Sequence, residues 1–487
     1  MKDLLEKEDG RKLQIFSYLE SAHFQSASFQ ELKEQLKLSE FLIGKSIKEL
    51  ILDLEKYNLT GFFEITESNK IVTLKKTGKD SVNYLLWVYM KNSHNFLLLN
   101  DLFKTEHFSL ENFSNQLFIS PSKSYSIKIN MDKYLLRYNI KLDIDYNLTG
   151  KEKNIRLFFY QLYFTIFKNY EFPFNEDISN FTTKLMEIIQ ENLTHPLTKN
   201  CYVKLKFFIA TLLTRLDLGY SFDTAKKNPP IKNTELSKSL FNFFEEFTSL
   251  ESYEIINEVE FIKDFLINEH YIVNELPTSF MPEALALTQN FIQKVESYFS
   301  TSLPKDIKEA FSLELNYVHN RIFYYRDIFL SWNSFNSHAV LKENYTDYYN
   351  FCTRFINQLI KDNPTLTLQV YKSILLYDYI FILIKYFPLA LLFEPITITL
   401  DFSHGQNYNN FIKNNLVGLP YFNFKINYQL SCETDIYLSD ILLPSVTCDY
   451  LIWNNPPSAI DWEIFGNLVM HVQNKKRNDV ANEKQNF

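Results

Sequence analysis

Between Gly10 and Lys79 the apolar positions recur three times at helical spacing and then switch to alternation. In "RKLQIFSYLESA" the spacing of Leu13, Ile15, Phe16 and Leu19 predicts a helix. "SFQELKEQLKL" opens at Ser28 with Glu31 three residues on, a capping box. "SEFLIGKSIKELILDLEKY" starts at Ser39, a good N-cap, and directs Leu42, Ile47, Leu50, Ile51 and Leu54 inward. "GFFEITESNKIVTLKK" then alternates, predicting two strands about a Ser-Asn-Lys turn. Three helices followed by a hairpin are the outline of a winged helix-turn-helix.

After a helix-rich connector, "SVNYLLWVYMKNSHNFLLLNDLF", the same grammar returns. A short helix begins at Ser109 with Leu110, Phe113 and Leu117 on one face, and "FISP" makes a tight turn. Ser120 then caps a longer helix with Pro121 at its first position, where the missing N–H costs nothing. The stripe Ile127, Met131 and Leu135, flanked by Tyr134 and Tyr138, anchors that helix. Ser122, Lys123, Ser126 and Asn130 are left facing outward near its start, with Lys133 and Arg137 further along. A second helix that offers its N-terminal residues in this way is how helix-turn-helix proteins approach base edges, where Ser and Asn can form hydrogen bonds.

From about Phe174 to Pro388 the pattern is amphipathic helix almost throughout, and it repeats one plan twice, with a boundary near "NELPTSFMPEA" carrying Pro277 and Pro282. The character changes at Pro395. "ITITLDF" reads as a strand, "SHGQNYNNFIKNNL" as a loop opening into a helix, "YFNFKINYQL" and "CDYLIWNN" as further strands, and "AIDWEIFGNLVMHVQN" as a closing helix, together a small α/β domain.

With 487 residues the chain has room for three or four domains at about 150 residues each. The segments are 1–80, 81–170, 171–280, 281–393 and 394–475, and the composition of 476–487 predicts a disordered tail. The expected fold class is therefore multidomain and mainly α, with a small α/β domain at the C-terminal end.

The net charge of −8 disfavours a polyanion partner only until it is divided along the chain. Residues 1–165 carry 23 Lys and Arg against 21 Asp and Glu, whereas the remainder carries 27 against 37. The N-terminal part is the part suited to nucleic acid.

Cys201, Cys352, Cys432 and Cys448 form no C-x-x-C pair, so neither a disulfide framework nor a cysteine zinc site is indicated. The most apolar run, "YKSILLYDYIFILIKYFPLALLFEP", is interrupted by Lys372, Asp378, Lys385 and Pro388, too often for a membrane span. A reduced, cytoplasmic, membrane-free location is the expectation.

No phosphate-cradling glycine loop, H-E-x-x-H or G-x-S-x-G occurs, so neither enzymatic activity nor a cofactor or metal is expected. Among nine histidines, three stand out by position: His195 in "NLTHPLTKN", His270 in "INEHYIVNE" and His319 in "LNYVHNRIF", the last followed by Arg321 and Arg326.

This order of parts, with "FSLENFSNQLFISPSKSYSIKI" leading through "RYNIKLD" to "LTGKEKNIRLFFYQLYF", resembles the Mga/AtxA family of bacterial virulence regulators, which includes MafR-like proteins. The resemblance implies a global transcriptional regulator. Its two bundles, 171–280 and 281–393, would be phosphotransferase-system regulation domains, phosphorylated on His195 and His270 in the first and His319 in the second by the phosphocarrier protein of the sugar-uptake relay. The tail, 394–475, would resemble an enzyme IIB domain serving self-assembly. The loop that carries a phosphorylated cysteine in true IIB enzymes reads Asp401-Phe402-Ser403-His404-Gly405 here, so no phosphocysteine is expected.

The expected partner is double-stranded DNA at promoters, bound by a homodimer or higher homo-oligomer with little sequence specificity. The candidate contacts are Phe41, Gly44, Lys45 and Lys48 in the first unit, and Ser122, Lys123, Ser126, Lys128, Asn130, Lys133 and Arg137 in the second. Two alternatives use the same bundles: an RNA-binding antiterminator, which would carry a small β-rich module at the N-terminus, and a phosphocarrier enzyme.

Overall fold

The computed structural model of the chain describes residues 2–77, 81–222, 234–272, 281–300, 302–326, 328, 341–342, 345–363, 368–387, 394–419, 422–454 and 456–485. The chain is mainly helical and divides into two compact units: Met1–Thr288 with Asn316–Ser337 and Asn357–Leu375, and Gln289–Leu315 with His338–Ile356 and Leu376–Phe487.

The first unit begins with α1 (Lys7–Ser21), which buries Leu13, Ile15, Phe16 and Leu19 as its spacing predicts. Ser28 opens α2 (Phe29–Leu36) through the expected capping box: its hydroxyl accepts from the Glu31 N–H, and its own N–H donates to the Glu31 carboxylate at 2.7 Å. Ser39 caps α3 (Glu40–Lys56), whose inward face runs through Ile43, Ile47, Leu50 and Leu54. Leu42 and Ile51 are only half-buried, because the i, i+4, i+7, i+11 stripe starts one residue later than the sequence reading places it.

A hairpin of β2 (Phe63–Ser68) and β3 (Ile71–Lys76) follows, turned by Asn69 and Lys70, both at positive φ, the chemistry of a two-residue hairpin loop. A three-residue strand β1 (Ser26–Ser28) pairs antiparallel with β3, giving the order β1-β3-β2. It is too short to show in the hydrophobic pattern.

The connector forms α4 (Val82–Lys91) and α5 (His94–Lys104). Then come α6 (Leu110–Gln116), α7 (Pro121–Leu136) and a small antiparallel ribbon of β4 (Ile140–Leu142) and β5 (Leu148–Gly150). Gly150 sits at φ +139°, and a Cβ there would lie 2.7 Å from the Asn139 carbonyl oxygen, so the ribbon needs glycine at this place.

The ribbon leads into α8 (Glu152–Phe167), which is buried on nearly every side and packs against α4 and α10. Helices α9 (Glu176–Glu191), α10 (Lys199–Asp217), α11 (Glu235–Phe247) and α12 (Ser252–Asn268) follow it, capped by Asn175, Thr198 and Thr234 at the first three. Helices α13 (Pro282–Tyr298), α14 (Lys305–Tyr324), α15 (Thr346–Asp362) and α16 (Leu368–Tyr386) contribute residues to both units. Pro282 starts α13, whereas Pro277, Pro388 and the boundary at residue 393 lie outside the described residues.

In the second unit Phe291 is ringed by Tyr379, Phe355 and Phe351, with ring centroids 4.5, 4.9 and 5.5 Å away. The C-terminal part holds β6 (Ile396–Asp401), α17 (Gln406–Val417), β7 (Phe424–Asn427), β8 (Ile436–Ser439), β9 (Asp449–Ile452) and α18 (Ala459–Gln485). All four strands are parallel, in the order β7-β6-β8-β9, around a core that includes Ile398, Leu400, Leu438, Trp453 and Phe465.

Strand β8 goes unread in the sequence because four successive buried residues show no alternation. The closing helix continues to Gln485, so residues 476–485 extend it where composition predicts a disordered tail. Among the described residues no helix is long and apolar enough to cross a membrane.

Candidate nucleic-acid interface

The N-terminus of α7 is held by three local devices. The Ser120 hydroxyl accepts from the Lys123 N–H at 3.3 Å, and Pro121 occupies the first helical position. Before it, Phe118 adopts φ +53°, which lets the Ile119 N–H return to the Ser114 carbonyl at 3.0 Å and closes α6. Between the helices the buried hydroxyls of Ser114 and Ser124 lie 2.6 Å apart, and each also reaches a carbonyl of its own helix, Leu110 at 2.7 Å and Pro121 at 2.9 Å. Ile127, Met131, Tyr134 and Leu135 are buried behind this lock.

The face left outside is polar at its start. Ser122, Lys123, Ser126, Asn130, Lys133 and Arg137 are all exposed. Lys123 and Lys133 have no carboxylate within ion-pair distance among the described residues. Arg137 instead donates to Asp3 at 2.6 Å, and Lys128 is drawn onto Asp132 at 2.6 Å with its ammonium 5.8 Å from the Tyr146 ring. Those two charges are therefore partly spent inside the fold.

Sequence reasoning missed the apolar companions of this face. Phe118 is 96% exposed and Tyr125 58% exposed. The first sits at a left-handed position, normally glycine's, and the second one turn in from the helix start; a stripe-based reading assigns both inward or ignores them.

In the first unit, Phe41 is exposed at the start of α3, and Lys48, exposed about two turns further on, has no ion-pair partner among the described residues. Lys45 lies between Glu8 at 3.2 Å and Glu49 at 3.4 Å. The Lys45 ammonium holds the Glu8 carboxyl below the usual carboxylate range. Gly44 faces inward, since a Cβ there would lie 3.6 Å from the Phe29 ring, so it spaces α3 from α2 and offers nothing outward.

The two helix-turn-helix turns match residue for residue. Lys37-Leu38-Ser39 and Phe118-Ile119-Ser120 each place a residue at positive φ, then a half-buried apolar residue, then the capping serine.

The three histidines are placed differently. His195 is exposed in the loop before α10. His270 is exposed just after α12 at φ +59°, with its ring 4.5 Å from Tyr317. His319 is fully buried in α14, its Nδ1 2.7 Å from the Thr288 hydroxyl, and burial pushes its pKa down to about 3, so the ring is neutral.

Helix α8 ties the DNA-side helices to the first bundle. Glu152 accepts from Arg156 at 2.9 Å and from two nitrogens of Arg215 at 2.8 Å, while Arg156 makes a two-pronged pair with Glu258 of α12 and donates to the Tyr220 carbonyl at 3.0 Å. A second, partly buried knot joins α1, α3 and α4: Lys12 pairs with Asp9 and Asp53, and the Tyr89 hydroxyl donates to Asp53 at 2.6 Å.

This arrangement, short helix, tight turn and longer helix with an exposed polar start, defines a helix-turn-helix protein. Residues 78–163 match the Mga helix-turn-helix domain. A protein provisionally named a trans-acting regulator from Streptococcus pneumoniae is 22% identical over 97% of this chain and 99% of its own length. The anthrax toxin expression trans-acting positive regulator of Bacillus anthracis is 22% identical over 74% of this chain and 72% of its own. The capsule synthesis positive regulator AcpB of the same organism is 26% identical over 30% of each chain. These likenesses agree with the resemblance to the Mga/AtxA family of regulators that the sequence carries.

Proposed function

We propose that the protein is a cytoplasmic transcriptional regulator, not an enzyme, that binds promoter duplex DNA through two helix-turn-helix units with little sequence specificity. The observation that carries this reading is the locked α7, whose exposed face combines hydroxyls, an amide and Lys123 near its start with Lys133 in its last turn, neither lysine having an ion-pair partner among the described residues. Residues 1–80, with hairpin β2–β3 as the wing, form the first reader, and 81–170 the second.

Phosphate contacts from Lys48, Lys123 and Lys133 supply affinity and position, at a slope of about −0.9 in log K against log salt for each phosphate neutralised. Lys45 and Arg137 join them only by releasing Glu8 and Asp3. Hydroxyls and one amide read bases weakly, so DNA deformability weighs more than base identity in target choice.

In this proposal the bundles at 171–280 and 281–393 are phosphotransferase-system regulation domains, and the tail at 394–475 is an enzyme IIB-like domain used for homo-oligomerisation. The phosphocarrier protein of that system marks His195 and His270, whose exposure permits it, and His319 only when α14 opens. A phosphoryl group adds about −1.5 to −2 charges, enough to shift an assembly equilibrium. Assembly then sets DNA affinity by linking readers.

The test is competition. A fluorescent 30-base-pair-scale duplex should be displaced by unlabelled duplexes of unrelated sequence and not by hairpin RNA. Preferential displacement by the hairpin would replace this reading with RNA antitermination.

A further inference from the structure

The outward face of α7 carries apolar groups beside its polar ones. Tyr125 and Ile129, one turn apart, lie on the side of the helix away from the buried stripe of Ile127, Met131 and Leu135, together with Ser122 and Ser126. Tyr125 is 58% exposed and Ile129 36%. Scattered apolar groups on a surface are ordinary. These two are set apart by their place: between the leading hydroxyls and Lys133, in the part of the helix that a helix-turn-helix protein offers to base edges.

We propose that Tyr125 and Ile129 read the 5-methyl groups of thymine in the major groove, so that duplexes are preferred by thymine content and not by a fixed order of bases. This rests on the reading of α7 as a DNA-recognition helix.

The chemistry of the groove selects the target. Guanine, cytosine and adenine present only hydrogen-bond acceptors and donors there, whereas thymine adds an apolar methyl beside its O4 acceptor. An apolar side chain set against the other edges strips water from polar atoms and returns no hydrogen bond. Against a methyl it buries apolar surface on both partners. Ser122 and Ser126, on the same face, supply hydroxyl donors for the O4 acceptor beside each methyl.

The spacing also fits. Residues 125 and 129 are about 6 Å apart along the helix axis, close to two base steps of about 3.4 Å each. The ring face of Tyr125 covers a methyl while its hydroxyl stays in water. Lys123 and Lys133 hold the helix on the phosphates and carry no base information, which leaves discrimination to the groups between them. The first unit repeats the chemistry: Phe41 stands two residues after the capping Ser39 and is 78% exposed.

The experiment is anisotropy titration of the full chain with one duplex and with the same duplex in which every thymine is replaced by deoxyuridine. That replacement keeps the base pairs and removes only the methyl groups. The thymine duplex should bind about fourfold tighter for each methyl buried, the effect of one carbon taken out of water. Tyr125→Ala with Ile129→Ala should bind the two duplexes alike and keep the wild-type salt slope, since no cation is lost. Circular dichroism establishes that this variant is folded, and Tyr125→Phe, which keeps the ring face, should retain the preference. Equal affinity of the wild type for both duplexes would overturn the proposal and leave duplex binding standing. So would a preference that survives in the folded double alanine variant, since it would belong to duplex shape. Failure to bind either duplex would overturn both this proposal and the reading beneath it.

Discussion

Arg156 and Glu258 face each other across two helices through a two-pronged ion pair, with neither side chain more than 1% exposed. Arg156 lies in the matched helix-turn-helix segment and Glu258 on α12 of the first bundle. Four charges, these two with Glu152 and Arg215, thus make a bridge largely shielded from water, with only Glu152, 11% exposed, reaching its edge.

Breaking this bridge on one side strands a buried charge. Arg156→Met should cost about 3–5 kcal/mol, because Glu258 would then be buried without its partner. Arg156→Met with Glu258→Met should recover most of that loss. Urea unfolding of both variants measures it; an Arg156→Met protein as stable as the wild type would show that the pair contributes nothing to holding α8 on the bundle.

The hydroxyl contact between Ser114 and Ser124 sets how α7 leans on α6. Ser124→Ala should cost about 1 kcal/mol of stability and lower DNA affinity while leaving the salt dependence unchanged, since it reorients the reading face and removes no cation. Anisotropy titrations at several salt concentrations separate the two effects; a changed slope would mean that charge, not orientation, was lost.

Much of this was legible in the sequence, and the failures have physical reasons. The caps at Ser28, Ser39, Ser109 and Ser120 were readable because a side-chain acceptor at a helix start is a local device. The stripe Ile127, Met131, Leu135 was readable for the same reason. Strands β1 and β8 were not, being too short or too evenly buried to alternate. Nor could the sequence show that Arg137 is tied to Asp3, or Arg156 to Glu258, because pairs 134 and 102 residues apart leave no local signal. Nor could it show that Gly44, a candidate contact, stands against the Phe29 ring, because a glycine has no side chain to betray its face.

His319 makes stability depend on pH with a definite sign. Its folded pKa is about 3 against about 6.5 unfolded, so below pH 6.5 the unfolded chain binds a proton that the folded chain refuses. The contribution is complete above pH 6.5 and falls by about 1.4 kcal/mol per pH unit as the pH drops toward 3. His319→Gln should flatten this part of the curve: the difference in unfolding free energy between wild type and variant should narrow between pH 7 and pH 5. A difference that stays constant would mean that the ring is protonated in the folded state.

The same burial predicts an order of phosphorylation. With the phosphocarrier protein and labelled phosphoenolpyruvate, His195 and His270 should take label first, and His319→Ala should leave the initial rate unchanged. An initial rate unaltered in the His195→Ala, His270→Ala double variant would remove both exposed acceptors from the account.

The central claim, that α7 lies on duplex DNA through its exposed cations, is tested most directly by Lys123→Ala with Lys133→Ala. Both side chains are exposed and have no ion-pair partner among the described residues, so the fold should persist by circular dichroism. The account predicts weaker binding to every duplex tested, with the slope of log K against log salt reduced by about 2. A folded double variant that binds duplex DNA with the wild-type affinity and slope would contradict it.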